Sequence, residues 1–230
     1  MPCSDSTELT ILRKRYIPPL YQLGLDNANS RYYQGFSLGH NTDKGLYEEL
    51  RKYPERGRRW AGAMTAFASK IPLDPLAQGF DWASFHGGTV VDVGGGYGPV
   101  SIGLAQRFPH LHFIVQDFAD VVAEGPSHMP PDLQGRISFM PYDFLDEQPV
   151  HGADIYFFRA VFHNWPDEHC VQILRNQIRA LQPGARLVIN EACMHAPNTL
   201  PAFLEKRRRC VSGLGTACLC FFSSLSLGTY

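Results

Sequence analysis

The pattern of apolar and polar positions changes character near Thr89. From there onward, short runs of apolar residues alternate with stretches of helical periodicity. Val90, Val91 and Val93 predict a first buried strand, and four further strands are predicted at residues 112–117, 137–143, 154–158 and 186–191. Continuous apolar strands separated by helices are typical of a parallel sheet that is covered on both faces. The pattern therefore predicts an α/β fold.

Two of the intervening segments carry clear helix signals. Pro99 suits a first helical turn, and Val100, Leu104 and Phe108 follow at the spacing of an apolar stripe. A second helix is predicted over residues 166–181, because a proline and two acids stand in its first turn and Pro-Gly follows its end. Both segments lie where connections between parallel strands are expected.

The segment before the first strand has a different pattern. Residues 1–45 are polar and rich in turn formers, with no regular period. Apolar residues then recur at helical spacing in two groups, which are Leu46, Leu50 and Tyr53, and Trp60, Met64 and Phe67. We therefore expect two helices and a proline-containing linker ahead of the sheet.

Composition excludes several classes of function for these 230 residues. The net charge of −1 lacks the basic excess that nucleic acids or anionic membranes attract, so we expect neither as a partner. The six cysteines are scattered, which fits neither a disulfide framework nor a zinc ligand set. No segment approaches the ~20 apolar residues of a membrane helix. These features predict a cytoplasmic protein.

Four glycines at positions 94, 95, 96 and 98 lie in the turn between the first strand and its helix. In open α/β sheets this turn contacts the ligand, since glycines let backbone N–H groups approach without a Cβ atom. A dinucleotide site and simple close packing of helix on strand are both compatible with such a loop. The dinucleotide fingerprint, however, requires Gly or Ala where this chain has Pro99.

Three aspartates mark the ends of successive predicted strands. Asp92 precedes the glycine loop, where a carboxylate suits a cationic ligand better than a pyrophosphate. Asp117 ends the second strand, the position from which an acid accepts hydrogen bonds from ribose hydroxyls. Asp143 ends the third. Each alone is more often a cap or turn residue, but three in this order favour a ligand site.

The segments VVDVGGGYG, FIVQDFADVV, MPYDFL, FRAVFHNWPDEHC and LVINEACM occur in this order along the chain. In order and spacing they resemble the S-adenosylmethionine-dependent O-methyltransferases of the caffeate type found in fungal secondary metabolism, over roughly residues 38–205. The resemblance implies a Rossmann-like core that binds S-adenosylmethionine and a small phenolic or hydroxylated acceptor. It places the cofactor over Gly94, Gly96 and Gly98, its ribose on Asp117, its adenine near Asp143 and Phe144, and Arg159 where the family often has lysine.

The resemblance also identifies a candidate catalytic pair. His163 matches the family's general base, and Glu191 matches one of two acids that flank this base and orient its imidazole. A general base is needed because a phenol is a poor nucleophile until its proton leaves. Asn164 stands where many relatives have aspartate, and Trp165 is interpreted as a packing residue. His169 and Cys170 have no partners at metal-ligand spacing, so no metal is expected.

Compared with the family, the chain is expected to be shortened at both ends. We divide it into a partial helical region (1–78), a cofactor-binding core (79–205) and a divergent tail (206–230) without the familial closing strands. The winged-helix dimerisation region is largely missing, so the oligomeric state stays open. Three hypotheses follow: an O-methyltransferase that is intact or weakened by truncation, a cofactor-binding pericyclase, or a truncated non-catalytic protein.

Overall fold

The computed structural model describes residues 40–165, 167–191 and 201–203, together with the backbone of residues 225–226. Six strands form one sheet in the order β3-β2-β1-β4-β5-β6. They are β1 (Thr89–Val93), β2 (His112–Asp117), β3 (Ile137–Pro141), β4 (Ile155–Arg159), β5 (Arg186–Asn190) and β6 (Leu225–Ser226). The first five are parallel, which confirms the α/β architecture predicted from the alternating pattern.

Seven helices are described around this sheet. They are α1 (Leu46–Lys52), α2 (Pro54–Ser69), α3 (Asp74–Gly79), α4 (Pro99–Arg107), α5 (Ala119–Val122), α6 (Gly125–His128) and α7 (Asp167–Gln177), and short 3-10 turns link several of them. Helix α4 begins at Pro99, whose missing N–H belongs to a turn that makes no intrahelical bond there. The two helices expected before the sheet correspond to α1 and α2.

The strands bury side chains on both faces of the sheet. Since successive side chains of a strand point to opposite faces, Ile155 and Phe157 of β4 join one core, and Tyr156 and Phe158 join the other. Trp82 is fully buried in the first core, where its indole N–H donates a hydrogen bond to a backbone carbonyl. Burial on both faces explains why the strands consist of nearly continuous apolar residues.

Several predicted boundaries are corrected by one or two residues. Strand β3 ends at Pro141 rather than at residue 143, and β5 ends at Asn190 rather than at Glu191. Asp143 and Glu191 therefore lie in the loops just beyond their strands. Side chains in these loops need not alternate between the two faces of the sheet. Loops of this kind carry the ligand-binding groups of parallel α/β sheets.

The expectation of a sheet without closing strands also needs correction. Strand β6 pairs antiparallel with β5, placing Leu225 opposite Leu187 and Ser226 opposite Arg186. A strand of two residues at the edge of a sheet pairs through its backbone donors and acceptors alone. The sequence therefore needs no alternation of apolar residues there, and β6 could not be predicted from the pattern. The remainder of the expected divergent tail, 206–230, and the N-terminal residues 1–39 lie outside the described residues.

Helix α2 carries an apolar stripe that is not part of either core. Trp60, Met64 and Phe67 recur at helical spacing as expected, yet they are 36%, 43% and 56% exposed, and the helix has no buried residue. The packing of α2 thus differs from that of α4, whose stripe faces the sheet. Within the described part of the chain, no helix combines the length and apolar character that crossing a membrane requires.

Candidate functional site

The strand order creates a crevice at the carboxyl ends of β1 and β4. From β1 the chain builds outward through β2 and β3 on one side, then returns to add β4 and β5 on the other. Ligands of open α/β sheets bind where the strand order reverses in this way. The glycine loop follows β1 directly, and the loop that carries His163 follows β4, so both candidate elements meet at this crevice.

The glycine loop has a backbone that other residues adopt only with strain. Gly94, Gly96 and Gly98 have φ values of 76°, 60° and 78°. A Cβ atom on Gly95 would lie 2.8 Å from the carboxyl group of Asp92 and from a methyl group of Val115, whereas one on Gly96 would meet open space. The loop therefore packs tightly against the sheet on one side and presents bare backbone to the crevice on the other.

Asp92 lies beneath the loop rather than in the open crevice. The residue is only 2% exposed, and its carboxylate accepts a 2.6 Å hydrogen bond from the Ser101 hydroxyl of α4. Burial raises the pKa of Asp92 to about 6, against the opposing effects of the Ser101 hydrogen bond and the positive charge of Arg159. A cation in the crevice would act on this carboxylate through its charge and favour the ionised form.

Asp117 is positioned at the end of β2 by backbone donors on both sides. The N–H of Gly96 donates to one carboxylate oxygen at 2.9 Å, and the N–H of Phe118 donates to the other at 2.8 Å. Burial raises its pKa, although both hydrogen bonds act in the opposite direction. Since each oxygen has a second lone pair, the fixed carboxylate can still accept hydrogen bonds from ligand hydroxyls.

Beyond β3, Asp143 and Phe144 border the same crevice. One carboxylate oxygen of Asp143 accepts the N–H of Leu145 at 3.1 Å. The Phe144 ring meets Trp165 edge to face, with ring centroids 5.5 Å apart, and lies within 4 Å of where a Cβ on Gly94 would be. Aromatic surface beside carboxylates that can accept hydrogen bonds from hydroxyl groups suits a nucleoside, whose base needs an apolar flank.

Arg159, the last residue of β4, brings a positive charge close to the acids. Burial lowers its pKa, while the charge of Asp92 acts to raise it. The next residue, Ala160, has a φ of 54°, a left-handed conformation that costs a residue with a Cβ atom about 1 kcal/mol or more. This turn directs the chain from β4 into the 3-10 turn Phe162–Asn164, which carries the candidate base.

His163 and Glu191 form a direct pair across the ends of β4 and β5. Nδ1 of His163 lies 2.9 Å from Oε2 of Glu191, whose side chain is 1% exposed, while the histidine side chain is 32% exposed. The other carboxylate oxygen accepts the N–H of Phe162 at 2.6 Å. Because an ionised carboxylate only accepts, Nδ1 is the donor, and Nε2 on the far side of the ring is the position for a proton acceptor.

Helix α1 contributes two residues that the sequence did not identify as part of the site. Tyr47 stacks on Trp165, with ring centroids 6.0 Å apart and planes inclined by 11°, and its hydroxyl accepts a hydrogen bond from Asn164 at 3.0 Å. Arg51 pairs with Asp143 at 3.0 Å. These contacts join positions about a hundred residues apart, and local periodicity carries no signal for them.

Among the side chains described by the structure, no group of three or more His, Cys, Asp or Glu residues is arranged to hold a metal ion. The groups that converge on the crevice are instead backbone N–H donors, carboxylates, aromatic rings and one histidine-carboxylate pair. This arrangement suits an organic ligand bearing hydroxyl groups, an aromatic base and a positive charge.

Comparison with known proteins places these features in a family. A family model described as an O-methyltransferase domain matches residues 27–203. The grayanic acid biosynthesis cluster O-methyltransferase of Cladonia grayi is 47% identical over 206 residues, which are 88% of this chain and 45% of that enzyme. The chain thus spans about half the length of the curated relatives it matches.

Solved structures agree with this sequence similarity. The crystal structure of TnmH has a TM-score of 0.71 and 27% identity, covering 88% of this chain and 57% of that one. The O-methyltransferase NcsB1 from neocarzinostatin biosynthesis, solved with S-adenosylmethionine and 2-hydroxy-5-methyl naphthoic acid, has a TM-score of 0.62 and 26% identity over 74% of this chain and 51% of its own. On these matches, the chain belongs to the O-methyltransferase domain family.

Proposed function

We propose that this chain is an S-adenosylmethionine-dependent O-methyltransferase acting on a small phenolic or hydroxylated acceptor. The observation that carries the proposal is the His163–Glu191 pair, at 2.9 Å, beside a glycine loop with positive φ angles. A proton acceptor next to a nucleoside-binding loop is the combination that methyl transfer to oxygen requires. Family membership supports the same reaction.

The residues around the loop fit this cofactor. The bare backbone of Gly94, Gly96 and Gly98 would hold its amino acid portion and sulfonium, with the Asp92 carboxylate as a nearby counter-charge and Arg159 at the rim. Asp117 would accept from the ribose hydroxyls, and Asp143 and Phe144 would border the adenine. When bound, S-adenosylmethionine supplies an electrophilic methyl group on a positively charged sulfur.

His163 acts as the general base in this proposal. Its Nε2 takes the proton of the acceptor hydroxyl, so that the acceptor oxygen carries the electron pair that forms the new bond. Glu191 is a positioning residue, because its carboxylate holds Nδ1–H and stabilises the imidazolium that forms. The Phe162 N–H in turn fixes the carboxylate. A base so placed contributes ~10²–10⁴-fold to the rate.

The acceptor class rests on the surroundings of the base and on relatives. Trp165 follows the His163 turn and packs between Tyr47 and Phe144, which gives the crevice an aromatic wall suited to a flat ring. The NcsB1 structure contains a hydroxynaphthoic acid, and a similar enzyme from Trichoderma longibrachiatum is named a chlorophenol O-methyltransferase. The scattered cysteines support a cytoplasmic location for this activity.

Turnover and binding measured together test the proposal. We expect His163→Ala to lower methylation of a phenolic acceptor by ~10²-fold or more while leaving the cofactor dissociation constant nearly unchanged, because a base acts in the transition state. Glu191→Gln should lower kcat with little change in KM, and Glu191→Asp should restore part of the loss. His151→Ala serves as the matched control, since His151 is an exposed histidine away from the crevice.

Three outcomes would contradict the proposal in different ways. Full turnover by His163→Ala would remove the histidine from its role as base. Cofactor binding without methylation of any hydroxylated acceptor would instead favour the pericyclase alternative, and absence of both would favour a non-catalytic chain.

A further inference from the structure

Helix α1 lies across the edge of the crevice without being held by an apolar core. It has seven residues, none of which belongs to either core, although the ring of Tyr47 packs against other aromatic rings. A helix of this length is unstable by itself, since nucleation is costly and most helical stability in proteins comes from tertiary packing. The position of α1 must therefore depend on the directional contacts of its side chains.

Arg51 makes two such contacts at once. Its Nη2 donates to Oδ2 of Asp143 at 3.0 Å, and its guanidinium carbon lies 3.8 Å from the centroid of the Phe118 ring. Phe118 directly follows β2, and Asp143 follows β3 two residues after its end. One guanidinium thus connects α1 to the ends of the two strands that border the nucleoside end of the crevice.

Tyr47, one turn before Arg51, faces the same end of the crevice. Its ring stacks on Trp165 and tilts against Phe118, with centroids 6.0 Å and 6.5 Å apart. Burial and the negative charge of Asp117 raise the pKa of Tyr47 to about 12, so its hydroxyl stays protonated near that carboxylate. Keeping α1 in place therefore keeps an aromatic ring and a hydroxyl beside Asp117.

We propose that Arg51 is a cofactor-positioning residue, which fixes α1 over the adenosine end of the crevice by bridging Phe118 and Asp143. This inference rests on the proposed function, because it takes the ligand to be S-adenosylmethionine or its product. Arg51 holds the Asp143 carboxylate and the Phe118 ring in one arrangement, and α1 then shields the bound nucleoside from water. This bridge is separate from the glycine loop and from the His163–Glu191 pair.

The guanidinium is suited to this bridge in a way that lysine is not. A planar guanidinium stacks on an aromatic face while its edge donates to a carboxylate, whereas an ammonium is a compact point charge. An exposed ion pair and a cation–π contact together correspond to about a tenfold effect on a dissociation constant. We expect Arg51→Ala to raise the dissociation constant for S-adenosylhomocysteine about tenfold, and Arg51→Lys to raise it about threefold.

The test uses calorimetric titration of the whole 230-residue chain with S-adenosylhomocysteine. Lys52→Ala is the matched control, because it removes one cation from the same helix, where the Lys52 ammonium pairs with Glu49 three residues earlier. Its effect should be less than about twofold. In a Phe118→Leu background the cost of Arg51→Ala should shrink, since the aromatic face is gone. A purely structural role of Arg51 would not produce this coupling.

A second measurement needs no ligand. Hydrogen exchange of the cofactor-free chain should show faster exchange of the α1 amides in Arg51→Ala than in wild type or Lys52→Ala, with the sheet amides unchanged. An unchanged dissociation constant for Arg51→Ala would overturn the positioning role. Tighter binding would overturn it as well, because Arg51 would then compete with the ligand for Asp143. If the wild-type chain binds no S-adenosylhomocysteine, the proposed function and this inference both fall.

Discussion

Replacing Asp92 with asparagine should separate the stability of the fold from its affinity for a cation. The carboxyl group is buried beneath the glycine loop, and burial raises its pKa from an ordinary 3.8 to about 6. Well above pH 6, where this group is ionised in both the folded and the unfolded state, the shift costs the folded state about 3 kcal/mol. The cost is absent below the unfolded-state pKa, develops between the two pKa values and is complete above the folded-state value.

The Asp92→Asn variant cannot ionise at this position, so its stability lacks this pH dependence. The free energy of unfolding of the variant minus that of the wild type should increase by roughly 1.5 kcal/mol from about pH 5 to about pH 8. Urea denaturation at both pH values measures the gain. At pH 8 the same variant should bind S-adenosylmethionine about tenfold more weakly or worse, because the counter-charge is lost. A stability difference that does not vary with pH would refute the reasoning.

Two further predictions concern packing. Gly95→Ala places a Cβ atom 2.8 Å from the Asp92 carboxyl group, so it should destabilise the fold by about 1–3 kcal/mol and weaken cofactor binding. Gly62→Ala, in open space on α2, should instead stabilise the fold by about 0.5–1 kcal/mol. Thermal unfolding compares the two variants, and equal effects would contradict the loop geometry. Trp82→Ala, at a fully buried site, should cost about 3–5 kcal/mol in urea denaturation, against less than about 0.5 for Phe67→Ala on the exposed stripe. A large loss for Phe67→Ala would show that α2 is covered.

The sheet was predictable from the sequence because its signals are local. The valines at 90, 91 and 93 and the apolar residues 155–158 fit burial on both faces, and the glycines mark the turn after β1. The two-residue strand β6 was not predictable, since a short edge pairing depends on backbone groups that every residue possesses. The ends of β3 and β5 differ from those predicted, because Asp143 and Glu191 follow the strands in sequence but do not take part in strand pairing.

Some candidate site residues have a local signal in the sequence and others have none. Asp117 is a candidate from the sequence because it ends a strand, and the structure adds the two backbone donors that fix its carboxylate. His163 and Glu191 were identified only through the family resemblance, because nothing local links residues that lie 28 positions apart. The proposed role of Arg51 has no signal in the sequence, since its partner Asp143 is 92 positions away and an arginine on a polar helix is usually a solvated residue.

Calorimetric titration of S-adenosylmethionine into the wild-type chain and into Asp117→Ala tests the central claim most directly, because the base, the counter-charge and the α1 bridge all presuppose this ligand at the glycine loop. Hydrogen bonds to a carboxylate contribute about 1.5–3 kcal/mol each, so loss of two should weaken binding by about a hundredfold or more. Asp132→Ala, at an exposed aspartate, should bind as wild type does. Binding by the wild type that is lost only in Asp117→Ala is the predicted result. Equal binding by both chains, or a preference of the wild type for a nicotinamide dinucleotide, would contradict the account.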